Sequence, residues 1–150
     1  MNVGALIILA GKVGTMEKLF LNKTAKSPYI NLEEGLFLFS GRSIPEDAKK
    51  IFKPVIDWIK KYTPAPETQT TVNFNFDYLD TSSSKCVFDI LKVLDDLYTK
   101  GYELSINWFY EEGDDDMLDL GIHLKSFVKA PFNFIENEPS IGQLDDFMTN

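Results

Sequence analysis

The chain has 150 residues, of which 44% are hydrophobic and 25% charged, and its formal net charge is −8. This length suits one domain with a core large enough to fold without disulfide bonds or structural metal ions. The acidic balance argues against a broad face for nucleic acid or for an anionic membrane, and we predict neither as a partner. We interpret one lysine-rich stretch as a solvated helix face rather than a basic binding patch; it contains Lys49, Lys50, Lys53, Lys60 and Lys61.

Residues 1–15, MNVGALIILAGKVGT, differ in pattern from the rest of the chain. Their apolar run is too short to span a bilayer, and no basic residues precede it, so we predict neither a membrane span nor a secretory signal. We interpret them as an upstream extension, non-native or disordered, with an extra strand or a sticky contact between copies as alternatives. The domain is then expected to span 16–136, followed by a mobile polar tail over 137–150.

Three strands are predicted next. LFLNKT, residues 19–24, is the first. SPYINLEEGLFLFSGRS, residues 27–43, has two apolar runs separated by Glu34 and Gly35, which is typical of a hairpin.

A helix is predicted after this hairpin. Ser43 and Glu46 have the spacing of a capping box, and an apolar stripe follows them. Pro54 lies inside this pattern, so we expect it to kink or break the helix. A surface loop is predicted over 63–70.

The stretch TVNFNFDYLD, residues 71–80, alternates between apolar and polar side chains. The pattern predicts a strand whose buried face consists of Val72, Phe74, Phe76 and Tyr78. Residues 82–100 have helical apolar spacing and end before Gly101, a typical C′ residue, and 102–110 form another strand. Strand, helix and strand in this order predict a right-handed parallel crossover.

The acidic segment, residues 111–119, follows this crossover. Its acidic residues are Glu111, Glu112, Asp114, Asp115, Asp116 and Asp119. Their spacing does not match an EF-hand loop, and acidic residues are also favoured at a helix N-terminus. We interpret the segment as a loop and short helix with a partner-facing or solvated surface, leaving a Mg²⁺ or Ca²⁺ site as the alternative. APFNFIE, residues 130–136, is a candidate last strand.

The element order β-β-β-α-β-α-β, completed by the short helix and last strand, predicts one α/β domain with a mixed sheet flanked by helices. Motifs for catalysis are missing from the sequence. It has neither a Walker A loop nor a dinucleotide fingerprint, and His123 is its single histidine, too few for zinc. Cys86, the single cysteine, fits a reducing compartment such as the cytoplasm, and we interpret it as a core residue rather than an activated thiol. We predict no enzyme activity, cofactor or metal.

The junction between the strand at 71–80 and the following helix carries four hydroxyl residues, Thr81, Ser82, Ser83 and Ser84, and then Lys85. One hydroxyl is enough to cap a helix, because it accepts a hydrogen bond from an unpaired N–H group of the first turn. A phosphate placed here would meet the same N–H groups, and Lys85 would offset part of its charge. Capping alone and capping combined with phosphorylation therefore both remain open on these residues.

Four separated stretches give this chain a resemblance to a known family. They are TAKSPYINL, GLFLFSGRSIPEDAKKIFKPVIDWI, FNFDYLDTSSSK and WFYEEGDDDMLDLG. In this order they resemble the SiaC-type bacterial regulatory phosphoproteins, which act in partner-switching systems. The resemblance implies a fold like that of anti-sigma-factor antagonists and reversible phosphorylation at Thr81. It also implies a histidine-kinase-like Ser/Thr kinase, a PP2C-type phosphatase, and a diguanylate cyclase that the unphosphorylated form binds and activates, raising cyclic di-GMP.

The chain departs from the family pattern at a few positions. Asp80 stands where asparagine is expected, so it would repel a phosphate on Thr81. Ile122 and His123 replace expected acidic residues, and Gly113 interrupts the acidic run. These departures concern the identity of the partner more than the switch.

The sequence therefore predicts a non-enzymatic cytoplasmic adaptor with Thr81 as the phosphoacceptor. We expect Ser82, Ser83 and Ser84 to support the helix cap and loop, and Lys85 to offset charge. Asp80 and the acidic segment are candidate partner-binding residues. Two alternatives remain open: an anti-sigma-factor-antagonist-like adaptor that acts on transcription, and an acidic metal-dependent hydrolase.

Overall fold

The computed structural model describes residues 6–13 and 16–138, and in these ranges the chain forms seven strands and three helices. The strands are β1 (Leu6–Val13), β2 (Met16–Leu21), β3 (Tyr29–Glu33), β4 (Leu36–Ser43), β5 (Gln69–Leu79), β6 (Glu103–Tyr110) and β7 (Phe132–Glu136). The helices are α1 (Ala48–Lys60), α2 (Thr81–Thr99) and α3 (Asp115–Lys125). None of the helices in this described part is both long and apolar enough to cross a membrane.

All seven strands belong to one mixed sheet, in which the spatial order is the chain order. The pairs from β1 to β4 are antiparallel, and the pairs from β4 to β7 are parallel. Each parallel pair is connected through a helix, because a parallel neighbour can be reached only by crossing back over the sheet. The predicted single α/β domain with a mixed sheet is confirmed, and so is the parallel crossover, which is β5-α2-β6.

The helices pack on one face of the sheet. Phe39, Phe74 and Trp108 lie in register on β4, β5 and β6 and are buried on this face. The Trp108 Nε1 donates a hydrogen bond of 2.9 Å to the carbonyl oxygen of Met117 in α3. The Trp58 ring of α1 contacts a neighbouring core ring, Phe37, edge-on at 5.5 Å between centroids. The aromatic core thus holds the helices against the sheet.

The opposite face of the parallel strands carries a row of asparagine side chains. Asn73, Asn107 and Asn133 are paired in register on β5, β6 and β7. Asn107 Nδ2 donates to Asn73 Oδ1 at 2.9 Å, and Asn133 Nδ2 donates to Asn107 Oδ1 at 3.2 Å. The amide groups of these side chains hydrogen-bond to one another, so this polar face does not have to pack against another apolar layer.

The predicted hairpin is confirmed, because β3 and β4 pair antiparallel and Gly35 takes a positive φ of 87° in the turn. The strand predicted over 19–24 is displaced to Met16–Leu21. A local turn explains the shift: the Thr24 Oγ1 accepts a hydrogen bond of 2.9 Å from the Ser27 N–H. Side-chain bonds of this kind compete with strand pairing.

The helix after the hairpin begins later than predicted. Its N-cap is Asp47, whose carboxylate accepts a hydrogen bond of 3.3 Å from the Lys50 N–H, so the capping box of Ser43 and Glu46 is wrong. Ser43 is still part of β4 and fully buried there. The predicted break at Pro54 is also wrong, because α1 continues through it. The buried side chains on both sides of the proline hold the two halves of the helix against the core.

The buried face of β5 also differs from the prediction at its end. Val72, Phe74 and Phe76 are buried as expected, but the Tyr78 side chain is 54% exposed and Leu79 is buried instead. Gly41 pairs with Phe76, whereas the next residue of β4 pairs with Tyr78, so Asp77 is an extra residue in β5. One inserted residue reverses the alternation of side chains, as in a β-bulge.

The predicted N-terminal extension, residues 1–15, is described only in part. Residues 6–13 form β1, which pairs antiparallel with β2. Residues 1–5 and 14–15 lie outside the described residues, as do 139–150 of the predicted tail. Whether 1–15 are native stays a prediction.

Gly121 of α3 packs against the Trp108 and Phe134 rings. A Cβ here would lie 2.5 Å from two atoms of Trp108 and 2.9 Å from Phe134. We therefore expect Gly121→Ala to lower the free energy of unfolding by about 1–3 kcal/mol, although the same change in an unhindered helix gains up to about 1 kcal/mol. Urea denaturation measures this. The exposed neighbour provides the control, since Ile122→Ala should stay within about 0.5 kcal/mol of wild type. A stabilised Gly121→Ala variant would contradict this packing.

Candidate functional site

The N-termini of the three helices lie at one edge of the sheet. Each helix follows a parallel strand, β4, β5 or β6, and the carboxyl ends of parallel strands share an edge. An aspartate caps each helix: Asp47, Asp80 and Asp114. In open α/β sheets this edge is where ligands bind, which makes it the place to look for function.

The cap of α2 is Asp80 rather than a hydroxyl residue. Its carboxylate accepts a hydrogen bond of 2.8 Å from the Ser83 N–H, and Thr81 is the first residue of the helix. The predictions that a hydroxyl caps this helix and that it begins at residue 82 are therefore wrong. Aspartate caps a helix as well as serine does, and here it is placed to reach the third N–H group of the helix. The four hydroxyl residues all lie within α2.

Of the four hydroxyl residues, Ser83 is the one that is buried and hydrogen-bonded within the fold. Its side chain is 0% exposed, as is that of Ser43 at the end of β4. The two Oγ atoms are 2.7 Å apart, and the Ser83 Oγ also donates to the Ser43 carbonyl oxygen at 3.2 Å. The Asp80 N–H donates to the same carbonyl oxygen at 3.0 Å. These contacts join the first turn of α2 to the strand end and leave no room for a phosphate on Ser83.

Thr81 and Ser82 are exposed and open onto a groove between α1 and α2, while Ser84 is half-buried. The groove has a volume of about 770 Å³. Its lining residues from α1 and its approach are Glu46, Asp47, Ala48, Lys49, Phe52, Lys53, Ile56, Asp57 and Lys60, and those from α2 are Thr81, Ser82, Lys85, Cys86 and Asp89. Of the four hydroxyls, these two are accessible to a modifying enzyme.

Lys85 lies one turn after Thr81 in the same groove. Its Nζ forms an ion pair of 2.7 Å with Asp89 Oδ1, and both side chains are solvent-exposed. Exposed pairs at this helical spacing contribute about 0.3–0.5 kcal/mol, so Lys85 can exchange Asp89 for a stronger anion at little cost. The sequence-based expectation that Lys85 offsets charge near Thr81 is compatible with this position.

The acidic segment lies at the same edge as Thr81, because it follows β6, the neighbour of β5. Asp114 caps α3 by accepting a hydrogen bond of 3.1 Å from the Met117 N–H. The other acidic residues extend into solvent: Glu111, Glu112, Asp115, Asp116 and Asp119. Within residues 6–13 and 16–138, no three His, Cys, Asp or Glu side chains come together as a metal-binding group. The segment is therefore a charged surface in the described structure.

Cys86 and His123, the other two residues considered for reactivity, lie in environments that do not activate them. Cys86 is buried, and burial raises the pKa of its thiol, which opposes the formation of a reactive thiolate. His123 is exposed, and its ring contacts Phe127 edge-on at 5.2 Å. Neither residue forms part of a catalytic arrangement with the hydroxyls.

Two features of this site were missed from the sequence. The partnership of Ser43 with Ser83 spans 40 residues, and no local pattern signals it. The groove forms only because α1 and α2 are neighbours in the fold. From the sequence, its lysines were interpreted as part of a solvated helix face. The spacing of Lys49, Lys53 and Lys60 does place them on one side of a helix, which was the available signal.

The Ser43–Ser83 contact predicts non-additive mutant effects. We expect Ser43→Ala and Ser83→Ala each to lower the free energy of unfolding by about 1–3 kcal/mol, because each removes the hydrogen bond between the two buried hydroxyls. The double variant should lose less than the sum of the two, as measured by denaturation in a double-mutant cycle. Ser82→Ala, at an exposed position, is the control. Strict additivity would show that the two hydroxyls do not depend on each other.

Relatives with known structures share this fold. SiaC of Pseudomonas aeruginosa aligns with a TM-score of 0.74 and 26% identity, covering 81% of this chain and 100% of that chain. The apo-SiaC crystal structure from the same organism gives 0.73 and 26%, covering 80% and 99%. A chain of the crystal structure of diguanylate cyclase SiaD in complex with its activator SiaC, also from P. aeruginosa, gives 0.71 at 24% identity, covering 79% and 98%, and shows the fold alone.

Sequence comparison gives a consistent result. An uncharacterized protein of P. aeruginosa strain UCBPP-PA14 is 27% identical over 119 residues, which covers 78% of this chain and 94% of that protein. Residues 21–137 match the SiaC family regulatory phosphoproteins, so the match includes β3 to β7 and all three helices. The family resemblance found in the sequence is thus confirmed, and the chain belongs to the SiaC family of regulatory phosphoproteins, as a regulator rather than an enzyme.

Proposed function

We propose that this protein is a cytoplasmic switch in which reversible phosphorylation of Thr81 controls binding to, and activation of, a diguanylate cyclase. The observation that carries the proposal is the division of the hydroxyls in α2. Thr81 is exposed at the first position of the helix, whereas Ser83 is buried against Ser43. The Thr81 hydroxyl is accessible to a modifying enzyme, while the contact between Ser83 and Ser43 holds the local fold.

The choice of partner rests on the relatives. SiaC of P. aeruginosa has been crystallised with the diguanylate cyclase SiaD, of which it is the activator. We extend that role to this chain and, with the family resemblance, assign it a histidine-kinase-like Ser/Thr kinase and a PP2C-type phosphatase as the two enzymes that act on Thr81. The edge that carries Thr81 also carries the acidic segment, so a partner docked there would meet both.

Phosphorylation would change this surface without unfolding it. A phosphate adds a charge of about −1.5 to −2 at neutral pH and three strong acceptor oxygens. At the first turn of α2 it meets N–H groups that have no partner within a helix. A partner that packs closely over bare Thr81 would have to bury this charge, which is costly without a matching cation. The unphosphorylated form is therefore the binding form in this proposal.

The proposal is tested by comparing two purified forms of the protein. Unphosphorylated protein should bind the SiaD-type cyclase of the same organism and raise its rate of cyclic di-GMP synthesis, whereas protein fully phosphorylated at Thr81 should do neither. Thr81→Glu should have an intermediate effect, because one carboxylate carries less charge than a phosphate. Ser82→Ala, changed at the neighbouring exposed hydroxyl, should behave as wild type. Equal activation of the cyclase by both forms would refute the switch.

Asp80 should modify the phosphorylated state. It is both the cap of α2 and the residue before Thr81, so its carboxylate lies beside any phosphate there. Asp80→Asn retains capping ability but removes the negative charge. We expect it to lower the second pKa of the phosphate, ordinarily about 6, by a few tenths of a unit, since the dianion is then repelled less. A ³¹P NMR titration measures this.

The control for this titration is Asp96→Asn, which makes the same charge change at an exposed position about 22 Å along α2, beyond the Debye length at physiological salt. It should leave the phosphate pKa unchanged. Equal shifts in both variants would mean that Asp80 acts only through net charge.

A further inference from the structure

The extra residue near the end of β5 turns a large side chain into solvent close to Thr81. Asp77 has no register partner in β4, so Tyr78 leaves the buried row of the strand, and its side chain is 54% exposed. Among the large hydrophobic side chains of residues 16–138, it is the most exposed. Bulges are frequent next to functional sites, where they redirect a side chain. The switch at Thr81 gives no role to this tyrosine.

Tyr78 lies beside the single arginine of the chain. Arg42 of β4 is its register partner, so the two side chains leave the same face of the sheet from strands about 5 Å apart. Arg42 is exposed, and none of the described acidic side chains lies within ion-pair distance of its guanidinium. Tyrosine and arginine are the residue types enriched, with tryptophan, at the energetic centres of protein interfaces.

The residues that flank Thr81 in sequence are not free to be bound as an extended peptide. Leu79 and Ser83, two positions away on either side, are 9% and 0% exposed. The Asp80 carboxylate accepts a hydrogen bond from the Ser83 N–H group. An enzyme that approaches Thr81 in the folded protein therefore has to recognise side chains that the fold brings to this edge.

Tyr78 is close enough to Thr81 to be one of them. Three residues of chain span at most about 11 Å. An ordinary protein interface buries about 800 Å² on each partner, which corresponds to a disc about 16 Å in radius. A contact surface of this size centred on Thr81 includes Tyr78.

We propose that Tyr78 and Arg42 are specificity-determining residues for the kinase that phosphorylates Thr81. The tyrosine ring packs against an apolar part of the kinase surface, and the guanidinium pairs with a carboxylate beside it. The kinase is the partner whose position the chemistry determines, because its bound ATP has to reach the Thr81 Oγ1. This inference rests on the proposed function and assigns to its kinase a recognition surface.

Phosphoryl transfer explains why such a contact is needed. The Thr81 Oγ1 forms a bond to the γ-phosphorus of ATP while the bond from that phosphorus to the leaving oxygen breaks. ADP departs with the electron pair of that bond, and the hydroxyl proton passes to a base of the kinase. The attacking and leaving oxygens have to be roughly in line. Tyr78 and Arg42 take no part in these bonds, so they act by holding the kinase in place.

The test uses the full chain, its purified histidine-kinase-like kinase from the same organism, and ATP. Tyr78→Thr removes the ring and keeps a side chain that suits a strand. We expect it to lower kcat/KM for Thr81 phosphorylation by about 5- to 30-fold, mainly through a higher KM. Arg42→Gln should lower it by about three- to tenfold. Tyr78→Phe keeps the ring and should stay within about twofold of wild type.

The controls remove the same chemistry far from Thr81. Tyr98→Ala and Lys100→Gln change an exposed tyrosine and an exposed cation near the end of α2, about 26–28 Å along the helix from Thr81. Both should stay within about twofold of wild type. Phosphate incorporation over a range of substrate concentrations gives kcat and KM, and thermal unfolding shows that each variant is folded.

Unchanged kinetics in Tyr78→Thr and Arg42→Gln would overturn this assignment. Equal losses in Tyr98→Ala would also overturn it, because the effect would then not depend on nearness to Thr81. A fall in kcat at unchanged KM would do the same, since Tyr78 would then act on the position of Thr81 and not on kinase binding. If the kinase does not phosphorylate the wild-type protein at Thr81, the proposed function itself fails and this inference fails with it, so the two failures are distinguishable.

Discussion

The buried contact between Ser43 and Ser83 is the interaction on which the geometry of the site depends. It joins the end of β4 to the first turn of α2, and the Ser43 carbonyl oxygen also accepts a hydrogen bond from Asp80, the cap of that helix. Successive residues of a helix are rotated by about 100°, so burying Ser83 turns Thr81, two residues earlier, to the opposite side. The exposure of Thr81 is thus a consequence of where Ser83 is anchored, and the four hydroxyls lie in different environments.

Two further features of the fold determine which residues lie at this edge of the sheet. The extra residue Asp77 in β5 reverses the side-chain alternation, which buries Leu79 just before the cap and leaves Tyr78 exposed. Parallel connections then bring the starts of all three helices to this edge, each capped by an aspartate. An exposed hydroxyl, one end of the groove between α1 and α2, and an acidic surface therefore lie at one edge because of topology, although they are far apart in sequence.

Much of the fold could be predicted because its signals are local. The hairpin around Gly35, the helix α2 with its end at Gly101 and the parallel crossover follow from periodicity and turn residues. The errors arose where a distant contact overrode a local pattern. Ser43 was predicted to cap a helix, but its side chain hydrogen-bonds to Ser83 instead. Tyr78 was predicted to be buried, but the extra residue Asp77 in β5 turns its side chain to the other face. Pro54 does not break α1, because packing holds both halves of that helix.

The sequence could predict where the candidate site lies along the chain, but not which side chains surround it in the folded structure. Thr81 and its hydroxyl neighbours could be located from one strand–helix junction, whereas the cap at Asp80 and the groove beside α1 depend on how separate elements meet. Phosphorylation of Thr81 and the partner role of the acidic segment stay predictions, because both concern other molecules.

The most direct test of the central claim is to determine the mass of the protein isolated from its own cells, with peptide mapping across α2. We predict one phosphate on Thr81, removed by a PP2C-type phosphatase, in a fraction of the molecules that changes with growth state. Phosphate on Ser82 instead, or an unmodified chain under every growth condition, would contradict Thr81 as the switch.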